Sequence, residues 1–319
     1  MTLLEFICTF QMHKFNLAER SYPVFNFAGK GVQFQTETLF NLSGQTVQFD
    51  PAYSFHKMEP THMGTGIIKE VVSNMQKGCI DYTILANFAP VKVLHQNNIW
   101  TITMAKKHTQ LVPLISIHPE MEGNILSHLK QYIALGAKGI KIHPSVQGFL
   151  PNDYRLQSVY EYCNEIAFPI VFHCGLTSEV RINNYSDLEM LMPVIDEYQN
   201  IPIILGHMAE GKVGDVLWLS KVYRNVYFDT SIAISGLLCI KRVHDDCWRD
   251  DNIVIDIINK IGANRIIFGS DYPFGCPIHD IKRFMDMSLI NEDKRLILGD
   301  NSMRVFNIRT GHKDISDTL

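Results

Sequence analysis

Histidines that close apolar runs carry most of the chemical content of this 319-residue chain. His118 ends LVPLISIH, His143 ends GIKIH, His173 ends PIVFH and His207 ends IPIILGH, while His13 follows LLEFICTFQM. Asp229 in VYFD, Asp271 in RIIFGSD and Lys141 inside GIKIH share that setting. A charged group at the mouth of a buried strand is costly unless something meets it there. Imidazoles with a carboxylate suit zinc, iron, manganese or cobalt, and ligation makes a buried aspartate tolerable. Singly, each residue has a plainer reading. His118 precedes Pro119 and reads as a strand exit bonded to loop backbone. Asp271 could cap the next turn, and Lys141 could pair with Asp229. Five of the thirteen histidines stand at such ends, more than scatter would put there, and His173, His207 and Asp271 together ask for one shared site.

The elements that must position these groups alternate regularly. Apolar runs predict strands over 3–10, 80–87, 111–118, 139–143, 169–174, 201–207, 226–231 and 265–271. Between them run helical stripes. One holds Ile67, Ile68, Val71, Val72 and Met75 and stops at Gly78; another holds Ile125, Leu126, Leu129, Tyr132 and Ile133 and stops at Gly136. Helices are also expected over 98–108, 156–166, 213–222, 252–261, 278–287 and 293–306. Ser186 with Glu189 reads as a capping box opening a further helix, which Pro193 should kink or break.

Eight strands separated by helices, with no composition break, point to an α/β fold, a (β/α)8 TIM barrel, as a single domain over 1–319. A doubly wound open sheet is the alternative, but Gln11-Met12-His13 is no Gly-rich phosphate loop. An insertion over about 16–65 separates strand one from strand two. Alternation over 32–38, the Ser43-Gly44 turn and a strand over 46–49 make it an inserted β-hairpin. His56 and His62 in its later arm are candidates to touch substrate. In a barrel the C-terminal strand ends converge on one mouth. Gln11 and His13, two apart on one side of an extended chain, would join the other residues there.

Composition narrows the partners. Apolar residues make up 46% and charged residues 19%, with net charge −4 and no basic cluster, so a nucleic-acid surface is not expected. No apolar run reaches the length of a membrane span, and the N-terminus lacks the basic start and small-residue cleavage site of a signal peptide. Seven cysteines without a C-x-x-C pair suit free thiols in a reducing cytoplasm.

The stretches KGIKIHP (138–144), IVFHCG (170–175), IILGHMA (203–209), NVYFDTS (225–231), RIIFGSDYPFG (265–275) and ILGDNSMRVF (297–306) carry a resemblance. In this order the chain resembles the amidohydrolase superfamily, in particular the amidohydrolase-2 group that includes aminocarboxymuconate-semialdehyde decarboxylase. The resemblance implies a barrel with one divalent metal, zinc foremost and manganese or iron as alternatives. It implies His173 and Asp271 as ligands and His207 as acid/base. The family usually has H-x-H on strand one, supplying two more ligands. Here Gln11 and His13 stand in those places, and an amide oxygen is a weaker donor than imidazole. Lys141 is placed to hold a substrate carboxylate beside His143. In other amidohydrolases a strand-four lysine is carboxylated, which this group generally does without.

The expected function is metal-dependent hydrolysis of a small, carboxylate-bearing substrate by a metal-activated water, with His207 and Asp271 as the catalytic pair. Non-oxidative decarboxylation on the same site is the first alternative. A degenerate barrel that binds a ligand without turnover is the second. A TatD-like nuclease would show an acid at the end of strand four, where this chain has KIHP. The resemblance also admits a homodimer.

Overall fold

Strand runs such as LVPLI are apolar at every position because both of their faces are covered. The structure, a computed structural model, describes residues 8–12, 40–41, 46–47, 68–175, 183–234, 248, 250–272 and 275–308. In chain order come β1 (Cys8–Met12), the ladder of β2 (Phe40–Asn41) with β3 (Thr46–Val47), and α1 (Ile68–Gly78). Then follow β4 (Tyr82–Ala86), α2 (Val91–Lys107), β5 (Leu111–Ile115), α3 (Ile125–Leu135), β6 (Gly139–Ile142), α4 (Pro144–Gln147), α5 (Gln157–Ile166) and β7 (Ile170–Phe172). The chain continues with α6 (Leu188–Glu197), β8 (Ile203–Leu205), α7 (Val213–Val222), β9 (Val226–Asp229), α8 (Asp251–Ile261) and β10 (Ile266–Ile267). It ends in α9 (Pro277–Asp286), α10 (Asn291–Arg295) and α11 (Asn301–Val305). One eight-stranded sheet has the order β1-β4-β5-β6-β7-β8-β9-β10, parallel from β4 to β10, with helices between successive strands. This is the TIM-barrel plan.

The period of two along each strand sorts the side chains. Leu85, Ile140, Ile142, Ile170, Phe172, Ile203, Leu205 and Phe228 belong to the core cluster shared with the helices. The alternate residues Ile84, Ala86, Val112, Leu114, Val171, Ile204 and Ile267 form a second cluster with Val305 and Phe306. A Cβ on Gly139 would come within 3.0 Å of Leu114 Cδ2 and 3.2 Å of Phe306 Cε1, so only glycine starts β6 against this plug. On β6 and β7 the same alternation gives Lys141, His143 and His173 the parity of Val171. A polar layer thus stands above an apolar floor.

Several expectations need correction. β1 runs antiparallel to β4, not parallel, with Cys8 opposite Ala86 and Met12 opposite Tyr82. The predicted helix over 98–108 begins seven residues earlier, at Val91. Its buried face carries Asn97, Asn98 and Thr101, which dilute the apolar stripe. Asn98 works as a surrogate strand neighbour, donating to Ser116 O at 2.8 Å and accepting from Ser116 N at 2.9 Å. Ser186 is not a cap. Asp187 holds the cap position of α6, while Ser145 N donates to Ser186 Oγ and Ser186 N to Ser145 Oγ, both at 3.0 Å. α6 runs on through Pro193. The single helix expected over 293–306 is interrupted by a π turn over Leu296–Asp300, which frees the Ile297 carbonyl to accept from Phe268 N at 3.0 Å. Gly136 does end α3 in the left-handed region, at φ 117°. Apart from the β2–β3 ladder, the insertion with His56 and His62 lies outside the described residues.

Candidate active site

β6 sends Lys141 to the mouth of the sheet, and one residue beyond its end His143 opens α4. His143 Nδ1 accepts from Val146 N at 3.4 Å. That nitrogen therefore carries the lone pair, and Nε2 carries the hydrogen. His143 N donates to Gln147 Oε1 at 2.8 Å, while Gln147 Nε2 reaches Ser116 Oγ at 3.0 Å and Ile117 O at 3.3 Å. Gln147 thus ties the base of the histidine to the end of β5. Burial holds the His143 pKa well below the usual imidazole range, and the charges of Lys141 and His207 push the same way.

His173 follows β7, where its backbone N donates to Ile142 O at 2.9 Å, continuing the ladder to β6. Its ring stacks on that of His143, with centroids 3.7 Å apart and planes 13° from parallel. Two cations could not share that spacing, so the stack is built for neutral rings. The Ser145–Ser186 pair holds together the loops that leave the two strands.

His207 follows β8 and Gly206. A Cβ on Gly206 would stand 3.1 Å from Phe172 O and 3.4 Å from Asp229 Oδ2, so the close approach of β8 to its neighbours requires glycine. From His207 the backbone enters a left-handed turn: φ is 56° at His207, 51° at Met208, 49° at Ala209, 67° at Glu210 and 71° at Gly211. Left-handed conformation costs a residue with a Cβ roughly 1–2 kcal/mol, and strain of this kind concentrates at functional sites. His207 Nε2 lies 3.1 Å from His173 Nδ1, and its Nδ1 lies 3.0 Å from Ser231 Oγ. Ser231 Oγ donates to Asp229 Oδ1, which also accepts from Ser231 N at 2.9 Å and His207 N at 3.3 Å. Asp229 is buried, which raises its carboxyl pKa, while His207, the Ser231 hydrogen bond and Lys141 oppose that rise. Within the turn Glu210 is buried, and Lys212 Nζ donates to Glu210 Oε2 at 2.8 Å.

The structure thus gathers His143, His173 and His207, with Lys141 and Asp229 close enough to act on them electrostatically. His118 belongs to the framework, as its plainer reading has it. Its Nδ1 accepts from Glu120 N at 3.1 Å, so Nε2 donates to Gln147 O at 3.0 Å, and burial lowers its pKa. Asp271 comes out beyond β10 in the left-handed region at φ 55°. β9 beside it registers Asp229 against Ile267, and Thr230 Oγ1 donates to Gly269 O at 3.0 Å. Gln11 is not brought to this cluster: its backbone lies opposite Thr83, at the end of β4 away from Asn87 and the mouth. His13 lies outside the described residues. Among the described residues, no group of three or more His, Cys, Asp or Glu side chains is gathered around a point that could hold a metal ion.

Sequence reasoning missed Gln147, Ser145, Ser186 and Ser231, because small polar residues leave no period. The TS that follows VYFD was the one available signal for Ser231.

The chain is 29% identical to a gamma-resorcylate decarboxylase of Polaromonas sp. over 126 residues, 36% of this chain and 37% of that protein. A gamma-resorcylate decarboxylase of Rhodococcus jostii is 29% identical over 121 residues, 34% of this chain and 35% of that protein. The chain therefore spans little more than a third of the length of the curated relatives it matches. Among solved structures, 5-carboxyvanillate decarboxylase from Sphingomonas paucimobilis superposes with a TM-score of 0.62 at 15% identity, covering 76% of this chain and 84% of that one. A dihydroxybenzoic acid decarboxylase from Polaromonas sp. JS666 with bound manganese superposes with a TM-score of 0.58 at 20% identity, covering 76% and 87%. At such identities these likenesses show the fold. The Amidohydrolase family model matches residues 92–308, the stretch that runs from α2 past α11 and carries every histidine of the cluster, and the chain belongs to that family.

Proposed function

We propose that this chain is a metal-dependent decarboxylase acting on a small carboxylate-bearing substrate. The observation that carries the reading is the pair of donors on β6 and its exit. Lys141 is buried two residues before His143 on the same side of the strand, and its charge acts on the His143 ring, whose Nε2 carries a hydrogen. An ammonium beside an N–H donor is a carboxylate receptor. The decarboxylase names of the sequence relatives support loss of carbon dioxide over the hydrolysis that the sequence puts first.

His173 and Asp271 are proposed as the metal-holding residues. A neutral imidazole and a half-buried carboxylate are a donor set that fits zinc, manganese or iron. When bound, such an ion supplies Lewis-acid polarisation of a substrate oxygen. The protein's own groups do the rest. Lys141 and His143 hold and orient the carboxylate. His207, aimed by its strained turn and holding a lone pair on Nε2, serves as the acid/base that first takes up and then returns the proton that replaces carbon dioxide on the substrate carbon. The apolar floor of Val171, Ile204 and Ile267 keeps water from beneath the reacting group.

The test is carbon dioxide release by the full chain with manganese or zinc, across a panel of small hydroxybenzoates and aliphatic dicarboxylates. Release from at least one, lost in Lys141→Met, is the expected result. Ester or lactone cleavage without carbon dioxide would return the reading to hydrolysis. Binding of the same acids with no turnover would favour a ligand-binding barrel.

A further inference from the structure

The hydrogen bonds around His207 have only one consistent direction. Its Nδ1 lies 3.2 Å from Ser231 O and 3.0 Å from Ser231 Oγ. A carbonyl oxygen only accepts, so Nδ1 carries the hydrogen. The Ser231 hydroxyl has its own hydrogen committed to Asp229 Oδ1, which leaves Oγ lone pairs for the His207 N–H. Asp229 is in turn held by Ser231 N and His207 N, both donating to Oδ1. The polarity of this chain is therefore fixed at its carboxylate end. With Nδ1 protonated, the lone pair of a neutral His207 is on Nε2, which lies 3.1 Å from His173 Nδ1. His173 must donate there, and its own lone pair falls on Nε2.

We infer that Ser231, oriented by Asp229, is a positioning residue that sets the tautomer of His207 and, through it, that of His173. Neither Ser231 nor Asp229 is assigned contact with substrate. Asp229 is 1% exposed and Ser231 4%, so water does not compete for these bonds. The two residues act on an imidazole that must present Nε2 to its neighbour and not turn it away. Hydrogen bonds to the far side of a ring commonly fix its orientation and basicity where histidines do chemistry. The inference rests on the proposed roles of His207 and His173 for its functional meaning. The tautomers themselves are measurable without metal or turnover.

The experiment is nitrogen-15 NMR of the full chain labelled at histidine, without added metal, at one neutral pH. His207 and His173 are assigned by single His→Gln replacements. Both rings should show a protonated Nδ1 and a pyridine-like Nε2. In Ser231→Ala, where only the backbone carbonyl of residue 231 is left to accept from Nδ1, part of the His207 signal should shift toward the Nε2–H form, with His173 moving in concert, and Ser231→Thr, which keeps the hydroxyl, should restore the wild-type pattern. A wild-type His207 protonated at Nε2, or a Ser231→Ala spectrum identical to wild type, would overturn the inference. Should Ser231→Ala fail to fold, Asp229→Asn takes its place: its amide can donate to Ser231 Oγ and free the hydroxyl hydrogen for His207, and a His207 spectrum unchanged from wild type would overturn the inference. Failure of the carbon dioxide assay with these tautomers intact would instead sink the decarboxylase reading alone.

Discussion

The imidazole of His143 lies face to face with that of His173, 3.7 Å between centroids and 13° from parallel. The stack, Lys141 and burial all favour a neutral His143, which gives a pH dependence with a definite sign. A folded-state pKa held below the usual imidazole value of about 6.5 means the unfolded chain takes up the proton first as pH falls. The stabilising contribution is full above about pH 6.5 and is lost on acidification toward the folded-state pKa. Denaturant midpoints at pH 7.5 and 5.5 should show this acid-side loss in the wild type. His143→Phe, which keeps a ring in the stack, should flatten it. An equal loss in both proteins would assign the effect to other groups, His118 among them.

Gln147 is the second place where one substitution should be felt far from its own position. Gln147→Leu removes the acceptor for His143 N and the donor to Ser116 Oγ and Ile117 O, all in a buried setting. Orphaning such groups costs about 1–3 kcal/mol, so a loss near 2 kcal/mol is expected by urea denaturation. Carboxylate affinity should fall with it, because His143 loses its anchor. Unchanged stability would mean that α4 does not depend on this bond.

Metal uptake separates the proposed ligands from Gln11, which the β1 register sets away from the mouth. Asp271→Asn should lower manganese affinity about tenfold or more while the fold is kept, since asparagine tolerates the left-handed backbone at this position. His207→Ala should keep the metal and lose turnover. Gln11→His should leave affinity as it was, because β1 sets Gln11 opposite Thr83. Titration calorimetry with manganese reads all three. Tighter binding in Gln11→His would bring strand one to the mouth and contradict the antiparallel register.

The sequence made legible whatever leaves a period or a strong polar mark on an apolar background. The seven parallel strands show as runs of Ile, Val, Leu and Phe, and the histidines that end them stand out for that reason. Lys141 was found because an amine between Ile140 and Ile142 has no apolar explanation. What stayed hidden was pairing. Nothing in CTFQM tells which way β1 runs against β4, since a two-sided strand of mixed polarity fits either direction. Asn98 and Thr101 diluted the apolar stripe of α2 because their work is to bond Ser116 and Asn87 rather than to pack. Ser186 was misread as a cap because the S-x-x-E spacing is the same whether the hydroxyl faces its own helix or Ser145.

The left-handed turn over His207–Gly211 has a consequence for heat tolerance. Ala209 sits at φ 49° with no side chain beyond its Cβ, so glycine there would relieve steric cost while giving up little packing. The same exchange at His207 would erase the imidazole. A version of this chain adapted to a hotter setting could therefore gain melting temperature at residue 209 but not at residue 207. The difference between those two neighbours would separate strain that aims a functional group from strain that merely accompanies it.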